Sequence, residues 1–210
     1  MRGKDEKIGR FFIGVNIMAL GVAMSKQSQL GTSPIAAIPN VLSESLEGSL
    51  GLLTIIFMVL LVILQLLIVG KNSSRSRRFK IVIQLVPGIL FGLLINCYDS
   101  LLQRFQTTNH YGSQLTILLL SVLVLALGVY LEVSADFIVM PGEGLPQTIS
   151  NAYHVPFAKV KVWTDVTMVI LALLFSFSLG HPFSGIREGT LIATLLTGPC
   201  VSLFDSFFKT

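Results

Sequence analysis

Charged side chains are scarce in this sequence of 210 residues: aspartate, glutamate, lysine and arginine make up 12%, whereas 52% of the residues are hydrophobic. The mean hydropathy is +0.77. Soluble domains contain about 25% charged residues, so this composition excludes an ordinary soluble domain and predicts an integral membrane protein. The net charge of +4 comes from loop residues that set membrane orientation, and it gives no reason to expect a nucleic-acid partner.

Cysteine and the common catalytic motifs are also scarce. Cys97 and Cys200 match no metal-ligand or CxxC spacing, and we interpret both as small buried apolar side chains. No HExxH, GxSxG or GxxxxGK(S/T) motif is present, and the three histidines lie in predicted loops: His110, His154 and His181. We therefore expect no metal, no cofactor and no enzymatic activity, and an intramembrane enzyme is the last of the functions considered.

Six apolar segments are long enough to cross a bilayer as helices, which takes about 20 residues. They lie at residues 9–25, 50–70, 79–101, 113–133, 162–180 and 187–208. The sequence thus predicts an all-α membrane protein with six transmembrane helices.

Basic residues indicate the orientation of these spans, because lysine and arginine accumulate in cytoplasmic loops. Most of them fall on one predicted side: Arg2, Lys4, Lys7, Arg10, Lys71, Arg75, Arg77, Arg78, Lys80, Lys159, Lys161 and Lys209. The other side holds only Lys26, Arg104 and Arg187. We expect both termini in the cytoplasm. The run KNSSRSRRFK at 71–80 either serves only to set this topology or also binds anionic lipid headgroups.

An internal repeat relates the two halves of the chain. A shift of 107 residues places the ALGV at 19–22 on the ALGV at 126–129. The same shift places Pro34 on Pro141 and Pro39 on Pro146. Two prolines five residues apart, each at the same distance after an ALGV, would rarely coincide by chance. The repeat also assigns the first span to the mature fold rather than to a signal peptide.

The repeat predicts the architecture of the single membrane domain at 1–210. Each half, 9–101 and 113–208, is one unit of three spans. Because three is odd, the two copies must enter the membrane from opposite sides, so we predict two inverted three-helix repeats.

Each proline pair lies in a segment that is too short to cross the bilayer and too apolar for a solvated loop. Proline is well tolerated in a first helical turn, and Ser33 precedes Pro34 as an N-cap. We predict re-entrant or interfacial half-helices that start at Pro34 and Pro141 and kink or restart at Pro39 and Pro146. The alternative is two amphipathic loops on the membrane surface. Paired broken helices in inverted halves favour a substrate site between them.

Ionisable residues are concentrated in the second half. Seven of them replace the first-half residues Ser25, Gln29, Ala36, Thr54, Met58, Ile81 and Val82: Glu132, Asp136, Glu143, Lys161, Asp165, Arg187 and Glu188. Inside a membrane such residues usually face a partner or a cavity, so we take these seven as candidates for substrate or ion binding.

The spacing of the candidates suggests specific interactions. Lys161 and Asp165 are four residues apart and would form an ion pair on one helix face. Glu132 and Asp136 have the same spacing and would together bind a cation or proton if their helix continues, or else lie at a solvated helix end. Glu143 either complements the dipole of its half-helix or lines the site.

Four stretches carry a resemblance to a known family: QLGTSPIAAIPNVLS, LEVSADFIVMPGEGLPQTIS, FAKVKVWTDV and GIREGTLIATLLTG. With these motifs the chain resembles the YitT/YczE-type bacterial integral membrane proteins over nearly its whole length. The resemblance implies a bacterial plasma-membrane location. It implies no catalytic or binding residues, since the function of that family is largely unassigned.

The favoured function is a secondary transporter or channel for a small solute, with its site between the repeats. Half-helix N-termini favour an anionic group on the substrate, and the added carboxylates favour a coupling proton or cation. The alternatives are a substrate-binding subunit of a larger transport complex or a non-transporting accessory protein. Ala19 and Ala23 on the first span are small enough to pack a partner helix or a second copy of the chain.

The repeat makes a testable prediction about topology. Single cysteines at Gln29 and Asn151, in a background lacking Cys97 and Cys200, should react with an impermeant thiol reagent from opposite faces of the membrane. Labelling of both positions from outside would contradict the inverted repeat.

Overall fold

The computed structural model describes residues 2–70, 73–104, 110–180 and 185–208, with side chains for all of these except residues 2–4 and 158. Lys71, His181 and Lys209, which entered the loop assignments above, lie outside the described residues. The described parts contain helices and no strand. The helices are α1 (Arg2–Gln27), α2 (Pro34–Ser45), α3 (Leu50–Val69), α4 (Arg75–Val82), α5 (Leu85–Leu102), α6 (Tyr111–Ala135), α7 (Pro141–Tyr153), α8 (Phe157–Ser178) and α9 (Glu188–Phe208).

Six helical segments of the described chain are long and apolar enough to cross a membrane, which confirms the predicted number of spans. They are Asp5–Gln27, Leu50–Val69, Arg75–Leu102, Tyr111–Ala135, Lys159–Ser178 and Glu188–Phe208. The third differs from the prediction because it starts earlier, with the short helix α4, whose basic residues are exposed. The protein is therefore a multi-pass helical membrane protein.

The two short helices α2 and α7 begin at the predicted prolines, Pro34 and Pro141. Ser33 is the N-cap of α2, as predicted, with the extended backbone of that position, although its side chain makes no capping hydrogen bond. Of the two effects predicted for Pro39 and Pro146, a kink or a restart, the restart does not occur, because both prolines lie inside continuous helices. A proline in the second turn removes one intrahelical hydrogen bond, and packing on both sides holds the rest of each helix together.

The short helices lie inside the protein rather than on its surface. Eight of the twelve residues of α2 are buried, and the first turns of α7 are buried as well. Helix α2 packs against α3 and α8, while α7 packs against α8 and α3. Their first turns meet, since a Cβ atom at Gly142 would lie 2.5 Å from the side chain of Ile35. The alternative of surface loops therefore does not describe these segments.

The centre of the fold is the contact between α1 and α6, on which α5 and α9 pack from the two sides. The two helices are antiparallel: Gly14 faces Glu132, and Gly21 faces Leu125. A Cβ atom at Gly14 would lie 2.6 Å from the Glu132 nitrogen, so only glycine allows this approach. Lys7 to Gln27 spans about 30 Å of α1, which separates the two ends of the molecule.

Several interpretations of small residues need correction. Ala19 and Ala23 are fully buried within this chain, so they pack intramolecularly and offer no surface to a partner helix. Cys97 is exposed and Cys200 is half-buried, because both lie on outward faces of α5 and α9 rather than in the core.

The two described histidines lie at helix ends. His110 is the N-cap of α6, and its side chain accepts a hydrogen bond from the Gly112 nitrogen. His154 is the C-cap of α7 with a left-handed backbone.

The close contact of α1 and α6 at glycine predicts that one added methyl group at Gly128 lowers the stability of the protein. A Cβ atom at Gly128 would lie 2.6 Å from the Met18 nitrogen and 2.8 Å from the Gly14 oxygen. Gly128→Ala should therefore separate α1 from α6 and cost about 1–3 kcal/mol, seen as a lower thermal unfolding midpoint of the purified protein. Gly198→Ala on α9, where nothing lies within 4 Å, is the matched control and should be neutral or stabilising. Equal midpoints for the two variants would contradict this description.

Candidate functional site

A lysine near the start of α8 holds two carboxylates from different helices. The Lys161 ammonium lies 2.9 Å from Asp165 Oδ1 on the same helix and 3.1 Å from Glu143 Oε1 in the first turn of α7. All three side chains are mostly buried, with 18–26% exposure. The ion pair predicted from the spacing of Lys161 and Asp165 is confirmed. Glu143 joins it because the first turn of α7 packs on α8.

A third carboxylate, Glu132, reaches the same region from the last turn of α6. Its side chain is 2% exposed, and Oε1 accepts a 3.0 Å hydrogen bond from the backbone nitrogen of Met140, the N-cap residue of α7. Oε2 is buried and has no hydrogen-bond partner among the described residues. Through this hydrogen bond Glu132 lies at the start of α7, and the first turn of that helix carries Glu143, the partner of Lys161.

These four residues, Glu132, Glu143, Lys161 and Asp165, are called the acidic cluster below. Two carboxylates contact the one ammonium group and the third lies at the start of the same short helix, so the four residues carry two uncompensated negative charges when all are ionised. Buried charge of one sign is costly in a membrane. The cluster is therefore suited to take up a proton or a cation, and Glu132 Oε2 is the atom left open for it.

Asp136 does not belong to the cluster: of the two alternatives that the sequence left open, a joint site with Glu132 or a solvated helix end, Asp136 takes the solvated helix end. Helix α6 ends at Ala135, and Asp136 is its C-cap with φ 47°, a left-handed conformation that turns its side chain away from Glu132. The Asp136 side chain is 90% exposed and lies 3.4 Å from Lys7. The i, i+4 argument fails here because the helix does not continue through Asp136.

Arg187 and Glu188 are also separate from the cluster. They pair with each other at 3.2 Å, and Arg187 donates to the Gln29 carbonyl at 3.4 Å, beyond the C-terminal end of α1. The acidic cluster lies beside the middle of α1, where Gly14 faces Glu132. The seven predicted candidates thus divide into a buried group of four, an exposed Asp136 and a distant pair.

A neutral polar network beside the cluster was missed from the sequence. The Gln65 amide nitrogen donates to Gln84 Oε1 at 3.0 Å, and Thr148 Oγ1 donates to Gln65 Oε1 at 3.2 Å. A side chain at Gly144 would collide with both glutamine oxygens. The network ties α7 to α3 and α5. The available signal was a lone glutamine in the apolar run LVILQLL, because a buried amide in a span requires a partner.

Two further features lie outside the cluster. Among the described residues, no group of three or more histidine, cysteine, aspartate or glutamate side chains is arranged to hold a metal ion. A shallow groove of about 260 Å³ lies on the outer face of α1, lined by Phe12, Ile13, Asn16 and Ile17. It has no ionisable lining residue and faces the lipid side of a span, so we do not assign the site to it.

The fold and the buried cluster define a multi-pass helical membrane protein with ionisable groups inside its transmembrane region. Residues 6–206 match the family described as "Family of unknown function (DUF6198)", and the chain belongs to this family.

Two proteins of Bacillus subtilis (strain 168) are similar to the chain. "Uncharacterized protein YyaS" is 23% identical over 91% of this chain and 89% of its own length. "Uncharacterized membrane protein YczE" is 26% identical over 90% of this chain and 80% of its own length. The resemblance to YczE-type membrane proteins is thereby confirmed. No solved structure matches the chain significantly.

The acidic cluster predicts that the effects of Lys161, Asp165 and Glu143 on stability depend on one another. Lys161→Met leaves Glu143 and Asp165 buried without their cation, and breaking a buried pair costs about 3–5 kcal/mol. The unfolding midpoint should fall, recover in part with added Asp165→Leu, and recover further with added Glu143→Gln. Single, double and triple variants are compared by thermal unfolding in detergent. Strictly additive losses would show that the three groups do not act on one another.

Proposed function

We propose that this protein is a secondary transporter that moves a small solute across the bacterial plasma membrane, coupled to a proton or cation bound at the acidic cluster. The observation that supports this most strongly is the position of the cluster. It surrounds the first turn of α7, and that turn meets the first turn of α2 inside the protein. Broken helices whose N-termini converge within the membrane are the usual setting of substrate and ion sites in transporters.

We further propose that the two halves are inverted repeats with the site between them. The pattern of helix contacts supports this proposal, because most contacts occur in matched pairs. Helices α1 and α6, which correspond in sequence, pack antiparallel; α5 on α1 matches α9 on α6, and α2 on α8 matches α7 on α3. The contact between α3 and α5 has no equally extensive counterpart between α8 and α9, so the match is incomplete at the edge formed by α9.

In this proposal both termini and the acidic cluster face the cytoplasmic half of the membrane, as the basic loops predict. A proton or cation at Glu132 Oε2 removes part of the excess negative charge around Lys161. Because Glu132 also holds the Met140 nitrogen at the start of α7, ion binding changes how firmly that helix is held. Such a link between ion occupancy and the position of one helix is what coupled transport requires.

A second candidate is a membrane subunit, or an accessory protein, that works with a partner helix or a second copy of the chain. The observation that favours it is α9, since only 6% of its most apolar window is buried within the chain. A lipid-facing helix has the same exposure, so the transporter remains the first proposal. No enzymatic role is proposed.

The proposal is tested with purified protein in liposomes. A library of small solutes is first screened by thermal unfolding, because a ligand that binds only the folded state raises the midpoint. Solutes that bind are then assayed for uptake under an imposed proton or sodium gradient. Uptake by the protein alone supports the transporter; binding without uptake, together with copurification of an ATPase, would replace it with the subunit.

The coupling role of the cluster predicts the behaviour of Glu132→Gln. The glutamine oxygen can still accept the Met140 hydrogen bond, so the thermal midpoint should stay within a few degrees of the wild type. The dependence of binding or uptake on pH or on the cation should nevertheless disappear. Asp136→Asn, an exposed acid four residues away, is the control and should keep that dependence. If Glu132→Gln keeps the wild-type profile, Glu132 is structural.

A further inference from the structure

The N-termini of the two short helices differ in what occupies them. At α7, the chain supplies an anion of its own, since the Glu132 carboxylate accepts the Met140 hydrogen bond. The 107-residue shift places Ser25 at the corresponding position of the first half. The Ser25 hydroxyl instead donates to the Gly31 carbonyl at 3.0 Å, and the first turn of α2 contains no acidic residue. The start of α2 thus lacks the carboxylate that the start of α7 has.

Two hydroxyl groups at the start of α2 are buried and unpartnered. Thr32 is 0% and Ser33 is 2% exposed, and neither side-chain oxygen has a hydrogen-bond partner among the described residues. The N-cap position places the Ser33 hydroxyl beside the first turn of α2. In that turn Pro34 has no N–H and the Ala36 nitrogen donates to the Ser33 carbonyl at 3.0 Å, which leaves the N–H of Ile35. Buried hydroxyls are normally satisfied, so both point to a ligand that accepts hydrogen bonds.

The surroundings of these hydroxyls are electropositive. The first turn of α9 packs on the loop before α2, where the Gly189 nitrogen donates to the Leu30 oxygen at 2.8 Å. Thr190 Oγ1 lies 3.2 Å from the Thr32 nitrogen. The positive N-terminal ends of α2 and α9 therefore converge here. Arg187 and Glu188 at the start of α9 pair with each other at 3.2 Å and are partly exposed.

We propose that the N-terminus of α2, with the Thr32 and Ser33 hydroxyls, binds the carboxylate group of the transported solute. This assignment rests on the proposed transport function and adds the chemical class of the substrate. The carboxylate takes the place at α2 that Glu132 takes at α7, and it accepts hydrogen bonds from the two hydroxyls and the Ile35 N–H. In this assignment α2 binds the solute and α7 binds the coupling ion.

Binding is measured without transport. Purified protein is unfolded thermally in sodium acetate, lactate, succinate or glycine, each against sodium chloride at the same ionic strength and pH, with inorganic phosphate as a second reference. At least one carboxylate should raise the midpoint in a saturable manner. A shift with phosphate alone, or with none of the four carboxylates, overturns the assignment.

Variants locate the bound anion. Ser33→Ala and Thr32→Val each remove one hydrogen bond to a charged group, which should raise the apparent Kd roughly ten- to hundredfold. Ser43→Ala is the matched control, because its hydroxyl is buried on the same helix but donates to the Asn40 carbonyl. The control should keep the wild-type affinity. Unchanged affinity in both Ser33→Ala and Thr32→Val overturns the site.

A gain-of-function variant covers the case in which the hydroxyl variants fail to fold. Ser25→Glu installs a carboxylate at the position that corresponds to Glu132. It should fill the start of α2 from within, so the midpoint without added anion rises and the carboxylate-dependent shift disappears. A Ser25→Glu protein that still responds to the same carboxylate with wild-type affinity contradicts the proposal.

The experiment separates this inference from the proposed function. Carboxylate binding that depends on Ser33 but is not followed by uptake in liposomes would leave the site standing and remove the transporter. Uptake of a solute without a carboxylate, unaffected by Ser33→Ala, would leave the transporter standing and remove the site.

Discussion

A helix that begins in the interior of a protein has N–H groups for which neither its own first turn nor water supplies an acceptor. The structure of this protein depends on how that constraint is met at two places. At α7 the Glu132 carboxylate accepts from the N-cap residue, and this contact fixes the start of the helix against α6 and α8. At α2 the only nearby side-chain oxygens described are hydroxyls, and those of Thr32 and Ser33 are unpartnered. Two helices of similar length and burial therefore offer different chemistry.

The tight packing of α1 on α6 determines where Glu132 can point. The Gly14 backbone lies against the Glu132 nitrogen, so α1 occupies that side of the turn. The Glu132 side chain therefore points away from α1, toward the start of α7. The start of α7 follows soon after the end of α6 and lies within reach of Lys161 on α8. The acidic cluster is thus a consequence of backbone approach at glycine, followed by a sharp left-handed turn at Asp136, rather than of side-chain attraction alone.

The sequence was sufficient for features that depend on local physics. Long apolar runs predicted all six spans, and proline at a first turn predicted the starts of α2 and α7. Spacing within one helix predicted the pair of Lys161 and Asp165. Contacts between helices could not be predicted from the sequence. Periodicity gave no sign that Glu143 would reach Lys161 or that Gln65 would meet Thr148, because each contact depends on which helix faces which.

Because the ionisable residues are concentrated in the second half, the proposed mechanism assigns ion binding to α7 and solute binding to α2. In the proposed mechanism the start of α7 is held by ionic contacts whose strength changes when the acidic cluster gains or loses an ion. The first turn of α2 contains no acidic residue, and its buried neighbours are mainly apolar. The first turns of α2 and α7 touch at Ile35 and Gly142, so a shift of α7 is transmitted to the start of α2 by direct contact. An ion at one helix can in this way alter the affinity for a carboxylate at the other, and by linkage the solute must alter the affinity for the ion equally.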